Sequence, residues 1–186
     1  MSETLPKDFA PTKETVSLHG LGFIQLILPA NRRLHVWHPS LPRRNCYEHS
    51  AIHNHRFGFI SRVLKGAQIN VPVDIELALY GTHHVISHNG PRRAWGGRES
   101  YPVAECNVYE RAPEIVPAGC EYFMAPGAYH HTPVDDIVIT LMTKTEETCI
   151  HANSIIRKGV PFHQEFDRFQ LNTDALMDVV KEALLS

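Results

Sequence analysis

Apolar and polar residues alternate along most of the chain in short runs broken by proline and glycine, the pattern of half-buried strands rather than of helices. Gly22 to Leu28 predicts a first strand of mixed alternation and Pro29-Ala30-Asn31 a turn. Arg33 to His38 predicts a second strand, with Leu34 and Val36 on one face and His35 and Trp37 on the other. Pro39 to Ser50, with Pro42, Arg43, Arg44 and Asn45, reads as loop. After the stretch His53 to Gly66 comes a β-rich run from Ala67 to Tyr80, broken near Pro72 and Asp74, and then a strand from Thr82 to His88. Asn89 to Pro102 is loop by composition. Further strands are expected at Val103–Arg111, Glu114–Val116, Gly119–Ala125, Asp136–Thr143 and Ile150–Arg157, with a tight turn at Pro126-Gly127. Only the C-terminus changes period: Leu176, Val179, Val180, Ala183 and Leu184 fall at i, i+3, i+4, i+7 and i+8, an amphipathic helix over Thr173 to Leu185 that Asn172 or Thr173 can cap. Many short punctuated strands without an internal repeat predict an all-β sandwich or barrel.

The stretch His53 to Gly66 carries the most chemistry. His53 and His55 are two residues apart, so in a strand they share a face, and two neutral imidazoles side by side can grip one divalent metal. Phe57, Phe59, Ser61 and Val63 have the same parity and make that face mostly apolar, with Arg56 and Arg62 opposite. A second stretch, Gly119 to His131, is a glycine-led strand, a Pro-Gly turn, and then His130 and His131.

Composition narrows the function classes. With 186 residues and 43% hydrophobic positions, one compact domain with a core is expected. A net charge of -2, from 18 basic and 20 acidic residues, argues against a dedicated nucleic-acid or membrane-surface protein. There is no apolar run long enough to span a membrane, and Met1 to Asp8 does not read as a secretory signal. Cys46, Cys106, Cys120 and Cys149 lack Cys-x-x-Cys spacing, so free thiols and a cytoplasmic home are the simplest expectation. The count of 13 histidines raises the prior for metal.

His-x-His leading through an apolar strand to glycine, followed by glycine, strand, Pro-Gly and histidine, resembles the two-part pattern of the cupin superfamily over roughly residues 20 to 157. The resemblance implies a double-stranded β-helix, the cupin jelly-roll barrel, with the C-terminal α-helix appended. Residues 1–18 would be an N-terminal arm or edge, 19–160 the barrel and 161–186 a helical extension that covers one end of the barrel or packs on a neighbouring subunit. It further implies a metal held by His53, His55 and His130, with His131 as the alternative should a bulge exchange the two. Many cupins place a glutamate between the histidine pair and the closing glycine. Here that position falls near Phe59, and no acid occurs from Arg56 to Gly66. A three-histidine site of this kind resembles the thiol dioxygenase branch, relatives of cysteine dioxygenase, although the cysteine that forms a crosslink in some of those enzymes has no match near Ile60. The implied cofactor is one divalent metal, iron(II) first, with nickel, zinc or manganese as the other candidates.

The leading expectation is an iron(II)-dependent dioxygenase of a small substrate, a thiol among the candidates, with Phe57, Phe59, Ser61, Tyr122 and Met124 as pocket residues. A non-catalytic metal- or small-molecule-binding cupin and a metal-dependent isomerase or lyase are the alternatives. A homodimer through an exposed sheet face or edge suits such an architecture; nucleic acid and membrane are not expected partners. His35 and His38 read as unrelated to the site, His83, His84 and His88 as lining an outer sheet face, and Cys120 as a small buried residue. Arg92, Arg93 and Arg98 read as solvated charge, with a substrate-carboxylate clamp as the alternative.

Overall fold

The computed structural model describes residues 5–6, 8–91, 93–148, 150–162 and 166–186. Arg92 and Cys149 lie outside the described residues, as do parts of the arm and of the extension. Twelve strands are found among the described residues: β1 (Val16–His19), β2 (Phe23–Leu28), β3 (Arg32–Trp37), β4 (Phe57–Lys65), β5 (Ala67–Leu77), β6 (His83–Ser87), β7 (Tyr101–Glu110), β8 (Glu114–Pro117), β9 (Glu121–Met124), β10 (Tyr129–His131), β11 (Val138–Glu147) and β12 (Asn153–Arg157). Two helices accompany them, the single turn α1 (Tyr47–Ser50) and α2 (Thr173–Leu185).

The strands form two antiparallel sheets, one in the order β1-β2-β3-β11-β4-β9 and the other in the order β10-β5-β7-β6-β12, with β8 beside β5. The architecture is a jelly-roll β-sandwich with one C-terminal helix. The chain crosses between the sheets at Gly66, whose φ of +72° is open to glycine at little expense. A Cβ there would lie 2.5 Å from the Ile137 carbonyl oxygen. Gly66→Ala should therefore destabilise the fold by roughly 2–4 kcal/mol, from left-handed strain plus the clash, as a denaturant titration with unchanged slope would register.

The first sheet is covered on both faces. Val16, Leu18, Ile24, Leu26, Leu34, Val36 and Ile139 pack with Leu176, Val180 and Ala183 of α2 into the largest apolar cluster. The helix thus covers a sheet face rather than an end of the barrel. Its first turn is capped by Asn172, whose side chain accepts from the Ala175 N–H at 2.8 Å. The opposite face, with Phe23, His35, Trp37, Phe57, Phe59, Ser61 and Val63, turns toward the second sheet. Leu34 and Val36 are therefore buried under the helix, while their neighbour His35 points to the interior between the sheets.

Other boundaries moved for local reasons. β5 runs unbroken through Pro72, because that residue sits where the partner on one side changes from β8 (ending opposite Asn70) to β7 (starting opposite Val73). No ladder N–H is required there, and the Pro72 carbonyl accepts from the Arg111 N–H at 2.9 Å. β1, within the segment expected as arm or edge, is an edge strand paired to β2. Within the expected loop from Pro39 to Ser50, α1 forms one helical turn. Cys120, expected as a small buried residue, is exposed. Among the described residues no helix is long and apolar enough to cross a membrane.

Candidate metal centre

His53 and His55 are not part of β4. They lie on an extended strip before it, in which His53 bridges both β10 and β12, the outer strands of the second sheet. Paired backbone bonds fix the strip to β10: His53 N–H to the His130 carbonyl at 2.9 Å and His130 N–H to the His53 carbonyl at 3.0 Å. The Asn54 N–H bonds the Asn153 carbonyl at 3.0 Å, and the Asn153 N–H returns to Asn54 Oδ1 at 2.7 Å. Gly127, at φ +79°, donates its N–H to the His55 carbonyl at 2.8 Å, so the Pro-Gly turn is tied directly to the histidine strip. The same-face expectation for His53 and His55 holds, but through this strip rather than through the pleat of a regular strand.

The consequence is convergence. One nitrogen from each of His53, His55 and His130 lies within 4.8 Å of the others. The Nε2 atoms of His55 and His130 are 3.2 Å apart, close to the ~3 Å between neighbouring nitrogens that share an ion at about 2.1 Å. His53 Nδ1 is 2.8 Å from the Ala51 carbonyl. Bonded so, Nδ1 carries the proton and Nε2 keeps its lone pair, the tautomer a ligand needs. All three rings are driven toward the neutral form. Burial lowers the pKa of His53 to about 4, against the opposing effect of the Ala51 bond, with the charge of Arg44 lowering it further. Burial, then mutual repulsion among the histidines, holds His55 and His130 well below the ordinary imidazole range. A set of neutral nitrogen donors this close together fits a divalent cation. His131 faces the other way, with Nε2 3.1 Å from a carboxylate oxygen of Glu110, as strand alternation requires.

Two chambers meet at these rings. The inner one, about 140 Å³, lies between the sheets and is reached by all three histidines. Phe57, Phe59, Ser61 and Tyr122 line it, whereas Met124 packs behind them against the Phe57–Phe59–Met142 cluster. Its wall is more polar than the apolar face expected, because Gln25, Gln68, Thr132 and Thr140 are also buried there. The outer chamber, about 270 Å³, shares His53 and His55, and Trp95, Phe162 and Phe166 are in its lining.

Several residues at the site belong to no motif in the sequence. His35, expected to be unrelated, lines the inner chamber with its Nε2 buried and unpartnered. Burial first, and then Arg33 and Arg168, push its pKa to about 3. His19 stacks on Phe23 with ring centroids 4.3 Å apart and lines both chambers. His88 is not on an outer sheet face: it lines the outer chamber, 2.8 Å from Ser154 Oγ. Of the described loop arginines, Arg93 pairs with Glu99 at 2.9 Å and Arg98 lines the outer chamber. Arg44 and Arg168 line it as well. The Phe23/Gln25 and His35/Trp37 parities were the available signal for the inner wall. No spacing rule links residues 44, 98 and 168.

Neither a family model nor a curated protein matches this chain. Among solved structures, the chain is similar to a hydroquinone 1,2-dioxygenase, PnpCD, in complex with Cd2+ and 4-hydroxybenzonitrile, at 10% identity and a TM-score of 0.31, covering 64% of this chain and 60% of that one. It is also similar to procruciferin, an 11S globulin from Brassica napus, at 9% identity and a TM-score of 0.34, covering 86% of this chain and 34% of that one. The chain thus spans less than two thirds of either structure, and likenesses this distant carry no weight for its chemistry.

Proposed function

We propose that this protein is a mononuclear metal cupin, a dioxygenase that uses iron(II) on His53, His55 and His130 to act on a small substrate. The observation that carries the proposal is the convergence of three neutral histidines, from two sequence-distant segments, where two chambers share His53 and His55. Iron(II), when bound, supplies coordination positions beyond the three histidines at which a substrate and O₂ can meet. The chain's own part is to hold three uncharged donors, which leave the ion's full charge available to an incoming ligand. Ala51 fixes the His53 tautomer, and Phe57 and Phe59 keep water from the His55 ring, whose centroid lies 5.3 and 5.2 Å from theirs. Thiols are the first substrates to examine, because the carboxylate-free ligand set resembles that of thiol dioxygenases.

Anaerobic loading with iron(II), followed by oxygen-uptake assays against a panel of thiols and diketones, tests the proposal. The expected result is about one iron per chain and uptake with one compound class. Bound iron with no uptake from any compound would make the protein a binding cupin, and substrate loss without oxygen uptake would make it an isomerase or lyase.

A further inference from the structure

The second sheet ends in a row of hydrogen-bonding side chains that the metal centre does not use. Ser87 is the last residue of β6, and Tyr101 and Asn153 are the first of β7 and β12. They are in register, Asn153 opposite Ser87 and Ser87 opposite Tyr101, so their side chains share a face. Asn54 extends the row through its paired bonds to Asn153, and Asn89 ends it, with Oδ1 accepting from the Tyr101 hydroxyl at 2.6 Å. All five line one cleft of about 600 Å³. From the histidine strip through β12 and β6 to β7 the row crosses three strand gaps, roughly 14 Å in all. The cleft shares Asn54 and Asn153 with the outer chamber, but His53, His55 and His130 are not in its lining.

Two groups in the row are unsatisfied. Ser87 is 2% exposed, yet its Oγ has no hydrogen-bond partner among the described residues. The Asn153 amide donates from Nδ2 to the Tyr129 hydroxyl at 3.2 Å and leaves Oδ1 buried without a partner. Turning the amide over exchanges its ends, with the tyrosine then donating, and one end still lacks a partner. Such atoms are costly in a fold unless something bonds to them. The described lining has no Asp, Glu, Lys or Arg, so, His151 apart, a charged ligand would lose water there without gaining a counter-charge. Tyr101, Val103 and Ile150 are exposed and make one side of the cleft apolar.

We propose that this cleft binds a neutral, hydroxyl-rich ligand, a short oligosaccharide, whose hydroxyls bond Ser87 and Asn153 and whose ring faces lie on Tyr101. A hydroxyl both donates and accepts, so it satisfies Ser87 Oγ and either end of the Asn153 amide. The C–H face of a sugar ring suits an aromatic side chain with an apolar body and a wet tip. The row is longer than one sugar ring and suits a chain of them. Nothing in this inference rests on the metal.

The test is calorimetric titration of the full chain, in chelator, with maltotriose, cellotriose, chitotriose and, as the charged control, trigalacturonate. At least one neutral probe should bind with a Kd of about 1 mM or tighter, and trigalacturonate at least about tenfold more weakly than that probe. Ser87→Ala removes a hydroxyl that has no partner in the free protein, so thermal stability should hold or rise while affinity falls about five- to tenfold. Tyr101→Ala should weaken binding at least about fivefold, and Tyr101→Phe, which keeps the ring, should recover most of that loss. Absence of binding by every neutral probe at about 10 mM, trigalacturonate binding as tightly as the best of them, or unchanged affinity in either Ser87→Ala or Tyr101→Ala would each overturn the proposal. With metal removed, these results stand apart from metal stoichiometry, on which the function proposal depends.

Discussion

Replacing His130 by alanine should reduce bound divalent metal from about one per chain to near zero at micromolar metal, an affinity loss of at least about 100-fold, beyond the 10- to 100-fold of a change outside the ligand set. His55→Ala should do the same, because its Nε2 lies 3.2 Å from that of His130. The control is His131→Ala. That side chain is turned to Glu110 on the other face of β10, so its loss should leave stoichiometry unchanged. Atomic emission on protein equilibrated with iron(II) or cobalt(II) reads all three variants. Circular dichroism separates loss of metal from loss of fold, which matters because His130 also lies at the backbone bridge to His53. If His130→Ala keeps full occupancy while His131→Ala loses it, the assignment of ligands is reversed.

The contrast between neighbouring residues 130 and 131 shows what was readable in advance. A histidine pair two residues apart, a glycine closing the strand after it, and a Pro-Gly turn three residues before a third histidine are local signals, and local signals survive folding. The turns at Gly66 and Gly127 fell where glycine was needed, both with positive φ. What could not be read locally was which face of a strand meets which layer. Leu34 and Val36 look like the inward pair and His35 like the outward residue, yet α2 takes the apolar face and leaves His35 to the chamber. Alternation says that two faces differ; it cannot say which is covered by a helix more than a hundred residues away in sequence. The same limit hid Arg44 and Arg168. Each sits in a segment without a motif, and only the bond of Arg44 to the β1–β2 turn and of Arg168 to β1 brings them to one chamber. Short elements were lost for a different reason: Val16–His19 and Tyr47–Ser50 have four residues each, too few for a period to show.

Acid should unfold the metal-free protein well before its carboxylates titrate. His35 has a pKa lowered to about 3, and His53 and His88 each to about 4, with burial the leading cause in all three. In the unfolded chain each returns to about 6.5. Above that value both states are neutral and the histidines do not affect stability. Between pH 6.5 and 4 the unfolded state takes up protons that the folded state refuses, so stability falls as pH falls and recovers as pH rises. The slope is about 1.4 kcal/mol per pH unit for each fully shifted group, so by pH 5 each contributes a loss on the order of 1–2 kcal/mol. Three such groups remove several kcal/mol, a large part of an ordinary domain's stability. At 2–4 °C per kcal/mol, the unfolding midpoint should drop by about 10 °C or more between pH 7 and pH 5. The ion-paired carboxylates Asp74 and Glu105, whose pKa values are lowered by Arg111 and Lys158, add their own loss only below about pH 4.5 and so do not confuse this window. His35→Gln should flatten the dependence only in part, because it removes one contribution while His19, His53, His55, His88 and His130, all lowered by burial, keep theirs, and it is not among the three converging rings. Saturating metal should oppose it by stabilising the folded state alone. A midpoint that stays level from pH 7 to pH 5 in the metal-free protein would mean that the rings accept protons where they sit, and a cluster that accepts protons freely is too wet to be the closed donor set described above.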